Sequence, residues 1–124
     1  MVKVERMYRP EVYACNIDDP LQRVARQMGR HGVGVLAVRD HKRLAGVISE
    51  RDVVDAVAAG VDMSIATAGD HASRDVQVCA VDDDSTEVAH RMLVAGIRHM
   101  PVVRDGQPIG IVSMRDLLAV EVWA

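Results

Sequence analysis

Apolar positions along the chain alternate between a short-strand rhythm and a helical one, and the alternation occurs twice in the same order. Val12 to Ile17 (Val-Tyr-Ala-Cys-Asn-Ile) and Val76 to Val81 (Val-Gln-Val-Cys-Ala-Val) are short β-prone runs. Val24, Ala25 and Met28 then recur at i, i+1 and i+4, as do Val88, Ala89 and Met92, giving one apolar stripe on a helix in each half. Two almost continuously apolar runs follow in each half: Val33 to Val38 with Leu44 to Ser49, and His99 to Val103 with Ile109 to Ser113. Such runs suit strands covered on both faces. Polar turns, Arg39 to Arg43 and Arg104 to Gln107, join them as hairpins. A second helix begins at Ser49, where Gly60 stops it, and another at Ser113, running through Leu117 to Trp123. Each half therefore reads strand, helix, strand, strand, helix, and the fold class is α+β (α/β-like) in two pseudo-symmetric parts.

The two halves are copies. A gapless shift of 64 residues lays Val12–Val54 over Val76–Leu118, matching Cys15 with Cys79, Met28 with Met92, Gly46 with Gly110, Ser49 with Ser113 and Asp52 with Asp116. A long period present only twice is not a solenoid; it predicts two small units, 1–62 and 63–124, that stabilise each other, with 62–75 as the crossover. Asp18-Asp19-Pro20 and Asp82 to Glu87 read as helix starts, with Pro20 at the first helical position and Asp84 and Glu87 at capping-box spacing. Gly32 and Gly96 read as left-handed caps at the helix ends.

Composition narrows the function. The chain has 124 residues, is 49% hydrophobic and contains no Phe, so its core is built from Val, Ile, Leu, Met and Ala. A net charge of −3 with dispersed Lys and Arg lacks the basic face that duplex nucleic acid requires, and 2% aromatics cannot supply stacking for single strands. No apolar run reaches membrane-span length, and Met1 to Arg6 shows no signal-peptide pattern, so a cytoplasmic protein is expected. Cys15 and Cys79 form no CxxC pair and read as small core residues.

Other motifs fail on context. Gly29, Gly32 and Gly34 precede a strand, whereas a dinucleotide fingerprint follows one. The five histidines have no zinc spacing, and nothing places an activating base beside either cysteine, so no metal and no catalytic set is expected. The acidic runs Asp18-Asp19 and Asp82 to Asp84 read as helix caps.

Two tandem units, each ending in Gly-apolar-apolar-Ser-x-x-Asp, resemble a pair of cystathionine-β-synthase (CBS) domains. The second copy, Ala95 to Val103 with Gly110 to Leu118, is very similar to the family; the first matches at Gly46 to Val54 but has Leu36-Ala37-Val38 where the family has apolar-Pro-Val. The resemblance covers essentially the whole chain and extends to small stand-alone bacterial and archaeal CBS-pair proteins, including the hypoxic response type. It implies packing of the two domains through their sheets. It also implies a regulatory module without enzymatic activity or an obligatory cofactor, binding AMP or another adenosyl ligand in a cleft between the domains. A homodimer (a disc of four CBS units) is implied as partner, with a further protein partner open and no nucleic acid or membrane.

The resemblance assigns roles residue by residue. Asp52 and Asp116 accept hydrogen bonds from ribose hydroxyls, with Ser49 and Ser113 near ribose and phosphate. Arg98 and His99 occupy the basic places that reach phosphate, where the first copy has Gly34 and Val35. Ala14, Val78 and Pro101 contact adenine, and Arg51 and Arg115 add phosphate contacts. A helix start is by itself an anion site. The same Ser-x-x-Asp spacing also describes a capping arrangement contributing about 1 kcal/mol with no ligand. Arg51 and Arg115 likewise read as solvated first-turn arginines. A ligand-free dimerisation or protein-interaction module is thus the alternative. Two unequal sites are expected, the better one at Arg98 and His99.

Overall fold

The computed structural model describes residues 2–10 and 13–123, with side chains described as far as residue 119. The elements run β1 (Ala14–Asn16), α1 (Leu21–His31), β2 (Val35–Asp40), β3 (Arg43–Ser49), α2 (Glu50–Ala58), α3 (Ala68–His71), α4 (Ser85–Ala95), β4 (His99–Arg104), β5 (Gln107–Ser113) and α5 (Met114–Trp123). A 3-10 turn over Val4–Arg6 precedes them. The mixed α+β class and the repeated order follow the sequence pattern.

Within the first repeat, β1 pairs parallel to β2, and β2 pairs antiparallel to β3. Within the second, β4 and β5 form the matching antiparallel hairpin. Both hairpins carry an irregularity at the same repeat position, Val38/Arg39 and Val102/Val103. Both close through two-residue turns, His41-Lys42 and Asp105-Gly106, so the strands reach further than the turn residues suggested. Two sequence expectations change. The strand over Val12 to Ile17 is described from Ala14, and Val12 lies outside the described residues. Its counterpart over Val76 to Val81 shrinks to a single parallel bridge, Cys79 to Val102. That bridge keeps the register of Cys15 on Val38.

The helix ends follow their local chemistry. Gly32 and Gly96 close α1 and α4 in the left-handed conformation at φ 64° and 69°. Pro20 is the residue before α1 rather than its first, and Asp84 caps α4 through the Thr86 N–H rather than in a box with Glu87.

The chain forms two compact units, and they do not divide it at the predicted 62/63 boundary. One is Tyr13–Val76; the other joins Met1–Val12 to Gln77–Ala124. Backbone hydrogen bonds explain the difference. In the first unit, Ala68 N–H donates to Asp19 O, Gly69 N–H to Ile17 O and Leu21 N–H to Ala66 O. In the second, Val4 N–H donates to Asp83 O, Glu5 N–H to Val81 O and Ser85 N–H to Val2 O, the same bonds displaced by 64 residues. Residues 2–9 are thus the structural counterpart of 66–73, though no residue is shared between Val2 to Arg9 and Ala66 to Ser73. Each segment docks on the repeat that it does not precede in that repeat's own strand order. What looked like a crossover contains α3, and its counterpart is the 3-10 turn.

Each unit has its own core. Cys15, Leu21, Val24, Met28, Leu36, Val38, Ile48, Ala56 and Ala68 form one. Val4, Met7, Cys79, Val88, Met92, Met100, Val102, Val112 and Leu117 form the other. Ala68 and Val4 fill the same place from the docked segment, both fully buried. The docking also accounts for the repeated glycines. A Cβ on Gly46 would stand 2.7 Å from the Ser73 carbonyl, and one on Gly110 would strike the Tyr8 ring and the Arg9 carbonyl. The Gly of the Gly-apolar-apolar-Ser motif is the residue that lets a backbone cross closely over the strand.

Candidate functional site

Asp116 sits in the first turn of α5, directly after β5, because Ser113 ends the strand and turns the chain. The Asp116 N–H donates to Ser113 Oγ at 3.0 Å, and the Ser113 N–H reaches Asp116 Oδ2 at 3.4 Å. The strand and helix are anchored to β4 by the Met114 N–H, which donates to the Arg98 carbonyl at 2.8 Å. His99 lies opposite Ser113 in the hairpin register. Asp116, Ser113, Arg98 and His99 therefore come together at one corner, where the hairpin meets the helix start.

The first repeat builds the same corner more tightly. Ser49 caps α2 in a full reciprocal box: Asp52 N–H donates to Ser49 Oγ at 3.3 Å, and Ser49 N–H donates to Asp52 Oδ2 at 2.8 Å. Ser49 Oγ also donates to Asp52 Oδ2 at 3.0 Å. Both Ser-x-x-Asp motifs are thus caps, as their spacing allows. A cap leaves Oδ1 of each aspartate outside the box, so capping does not use up the carboxylate.

Arg9 is a member of the corner that sequence reasoning missed. Its guanidinium lies 3.8 Å from Asp116 Oδ1. The backbone places it there: Arg9 and Ile111 exchange both of their N–H···O bonds, at 2.9 and 3.0 Å. The first repeat does the same with Ser73 and Val47, at 2.9 and 3.0 Å, so its equivalent of Arg9 is uncharged.

The electrostatics of the second corner are mixed. Burial pushes the His99 imidazole below its ordinary value, the Arg98 and Arg9 charges push it the same way, and Asp116 opposes them. A lowered value favours the neutral imidazole of His99 near pH 7.

The remaining predicted residues are more scattered. Arg51 and Arg115 are exposed on the helix first turns, and neither makes an ion pair or hydrogen bond among the described residues. Pro101 is buried in β4, its carbonyl accepting from the Cys79 N–H at 3.0 Å. Ala14 is half-buried in β1, opposite Ala37. The Val78 carbonyl already accepts from Arg91 Nη2 at 2.6 Å, so that oxygen is engaged. A surface hollow of about 350 Å³ lies on the exposed side of α1, lined by Arg23, Arg26, Gln27 and Arg30, and contains none of these residues. Among the described residues no group of three or more His, Cys, Asp or Glu side chains is placed to hold a metal, and no helix is long and apolar enough to cross a membrane.

A duplicated strand–helix–hairpin–helix unit with a Ser-x-x-Asp corner in each copy defines the class. The chain belongs to the CBS domain family, whose model matches residues 4–59 and 68–122. The two matches begin 64 residues apart, at Val4 and Ala68, where the two docked segments become equivalent. An uncharacterised 17.7 kDa protein of Acidianus ambivalens is 33% identical over 118 residues, covering 93% of this chain and 70% of that one. Hypoxic response protein 1 of Mycobacterium tuberculosis is 31% identical over 101 residues, covering 80% and 71%. A crystal structure of hypoxic response protein I, described with two coordinated zinc ions, superposes with a TM-score of 0.85 at 27% identity, over 97% of this chain and 99% of that one. The CBS domain pair of protein MJ0100, solved with 5′-methylthioadenosine and S-adenosyl-L-methionine, shares the fold at a TM-score of 0.90 and 22% identity, over 99% and 98% of the two chains.

Proposed function

We propose that this protein is a non-enzymatic regulatory module that binds an adenine nucleotide, AMP foremost, at the corner of the second repeat. The observation that carries the reading is the ion pair of Arg9 with Asp116 at the start of α5, with Arg98 and His99 at the adjoining start of β4. Asp116 Oδ1 is the acceptor for a ribose cis-diol, and Ser113 holds the carboxylate in place through its backbone. Arg9, Arg98 and the helix N-terminus supply positive potential for a phosphate. Arg115 is free to add to it, and Pro101 and Val78 flank the adenine. The adenosyl ligands of the MJ0100 domain pair support the same ligand class.

The size of AMP bounds the affinity. About 23 non-hydrogen atoms at about 0.3 kcal/mol each give roughly 7 kcal/mol, a Kd on the order of 10 μM, which suits a sensor of adenylate levels. Thermal shift with AMP, ADP and ATP tests the reading. At ligand near 100 Kd the native state gains about 2.7 kcal/mol, a rise of several degrees. No rise with any adenosyl compound at millimolar concentration sinks it.

The regulatory output runs through association of this chain with itself. Val54 on α2 and Leu118 on α5 occupy the same repeat position and are 63% and 52% exposed. Val57, Leu93 and Val94 add further exposed apolar surface. A homodimer buries such faces in an isologous contact. Light scattering is expected to report twice the chain mass for the wild type and one chain mass for Val54→Glu with Leu118→Glu. We assign the protein to the cytoplasm, since its buried free thiols Cys15 and Cys79 suit a reducing compartment.

A further inference from the structure

The two repeats carry opposite charge at one matched pair of positions. The Glu50 N–H donates to the Gly34 carbonyl at 2.9 Å, as the Met114 N–H donates to the Arg98 carbonyl at 2.8 Å. The backbone is therefore the same in both corners, and the side chains are exchanged: Gly34 and Glu50 in the first, Arg98 and Met114 in the second. The Glu50 side chain folds back over Gly34, with Oε1 only 2.9 Å from where a Cβ would stand. A residue larger than glycine at position 34 would displace the carboxylate. The missing cation of the first repeat is thus replaced by an anion occupying the space it vacated.

The other matched positions move the balance the same way. The first corner has Ser73, Gly34 and Val35 where the second has Arg9, Arg98 and His99. The first corner carries two carboxylates, Glu50 and Asp52, and one arginine, Arg51; the second carries one carboxylate, Asp116, and three arginines, Arg9, Arg98 and Arg115. Ser49 engages Asp52 Oδ2 and leaves Oδ1 without a hydrogen bond among the described residues. The acceptor for a ribose diol is retained while the surroundings of a phosphate are removed.

We propose that Glu50 makes the first repeat selective for an adenosyl ligand that carries no phosphate, neutral or cationic at its 5′ end. The inference rests on the nucleotide reading above and divides the two repeats by ligand charge. A phosphate carrying nearly two negative charges is repelled by a neighbouring Glu50, and in a solvated corner such repulsion weakens binding about tenfold.

Isothermal titration with AMP, adenosine and S-adenosyl-L-methionine tests it on the full chain, with circular dichroism confirming that each variant is folded. The wild type is expected to bind one AMP per chain at low concentration and to bind adenosine or S-adenosyl-L-methionine at the first repeat. Asp116→Ala is expected to lose high-affinity AMP binding and keep one adenosine or S-adenosyl-L-methionine. Adding Glu50→Gln to Asp116→Ala is expected to tighten the residual AMP binding about tenfold, by removal of the repelling charge. Loss of both phosphate-free ligands in Asp116→Ala, or AMP binding in that background indifferent to Glu50→Gln, overturns this inference and leaves the nucleotide reading standing. A wild type that binds none of the three overturns both.

Discussion

The Arg9 guanidinium stands 3.8 Å from the Asp116 carboxylate, although the two residues lie at opposite ends of the chain. Arg9 is 76% exposed in its side chain and Asp116 20%, so the pair adds little to stability. On the proposed nucleotide reading its consequence is for binding: Arg9 stands beside the carboxylate where it would meet an incoming phosphate. Arg9→Ala is expected to weaken AMP binding about tenfold, the loss of one charge-assisted contact, while changing unfolding free energy by no more than about 0.5 kcal/mol. Titration calorimetry and urea denaturation on the same variant separate the two effects.

His99 gives the site a pH signature. Its folded-state value lies below its ordinary 6.5, from burial first and then the Arg98 and Arg9 charges, against Asp116. The unfolded chain then binds more protons than the folded one below about pH 6.5, so the stability that neutral His99 provides is lost as pH falls through that region. A bound phosphate acts in the opposite direction, favouring the imidazolium. AMP binding is therefore expected to draw in a proton at His99, the more so as pH falls towards the ordinary histidine value of 6.5. Calorimetry in two buffers of different ionisation enthalpy measures the uptake, and His99→Gln removes the part that the phosphate's own titration does not explain.

The glycines separate close approach from conformational freedom. A Cβ on Gly110 meets the Tyr8 ring and stands 2.5 Å from the Arg9 carbonyl, so Gly110→Ala is expected to push the docked segment off β5 and destabilise by about 1–3 kcal/mol. Gly29 lies within α1 with nothing within 4 Å of its Cβ position. Gly29→Ala is expected to stabilise by about 0.5–1 kcal/mol, since alanine suits a helix interior better. Denaturation midpoints of the two variants should move in opposite directions.

The thiols give an alkaline limit. Burial pushes Cys15 from its ordinary 9.0 up to about 11, helped by the Asp19 charge, and Cys79 up to about 12, helped by Asp83 and opposed by Arg91. Neither is a thiolate at pH 8, so a disulfide reagent is expected to label them only after unfolding. Because the unfolded thiols release protons first, stability is expected to fall as pH rises from about 9 towards 11–12. A double Cys→Ser variant should flatten that part of the pH profile.

Much of the architecture was legible along the chain because it follows from local periodicity. The stripe of Val24 and Met28, the left-handed Gly32 and Gly96, and the strand-ending Ser49 and Ser113 depend on residues within a few positions of each other. Where the reading fell short, the interaction was between distant backbones. The run from Val76 to Val81 is as apolar as its partner, yet only Cys79 pairs, because strand formation needs a neighbour in register and not only suitable side chains. The exchange of residues 2–9 and 66–73 between the compact units was not legible, since peptide hydrogen bonds accept almost any side chain and leave no shared residues to compare.

The amino-acid order by itself determined the duplication, the α+β elements and the asymmetry between Arg98-His99 and Gly34-Val35, all of which are properties of residues taken one repeat at a time. Tertiary structure alone decided that Arg9 reaches Asp116 and that Glu50 covers Gly34. The first is set by a docked segment crossing β5 and the second by a side chain folded back across the open end of the β2–β3 hairpin, and no spacing in the sequence relates either pair.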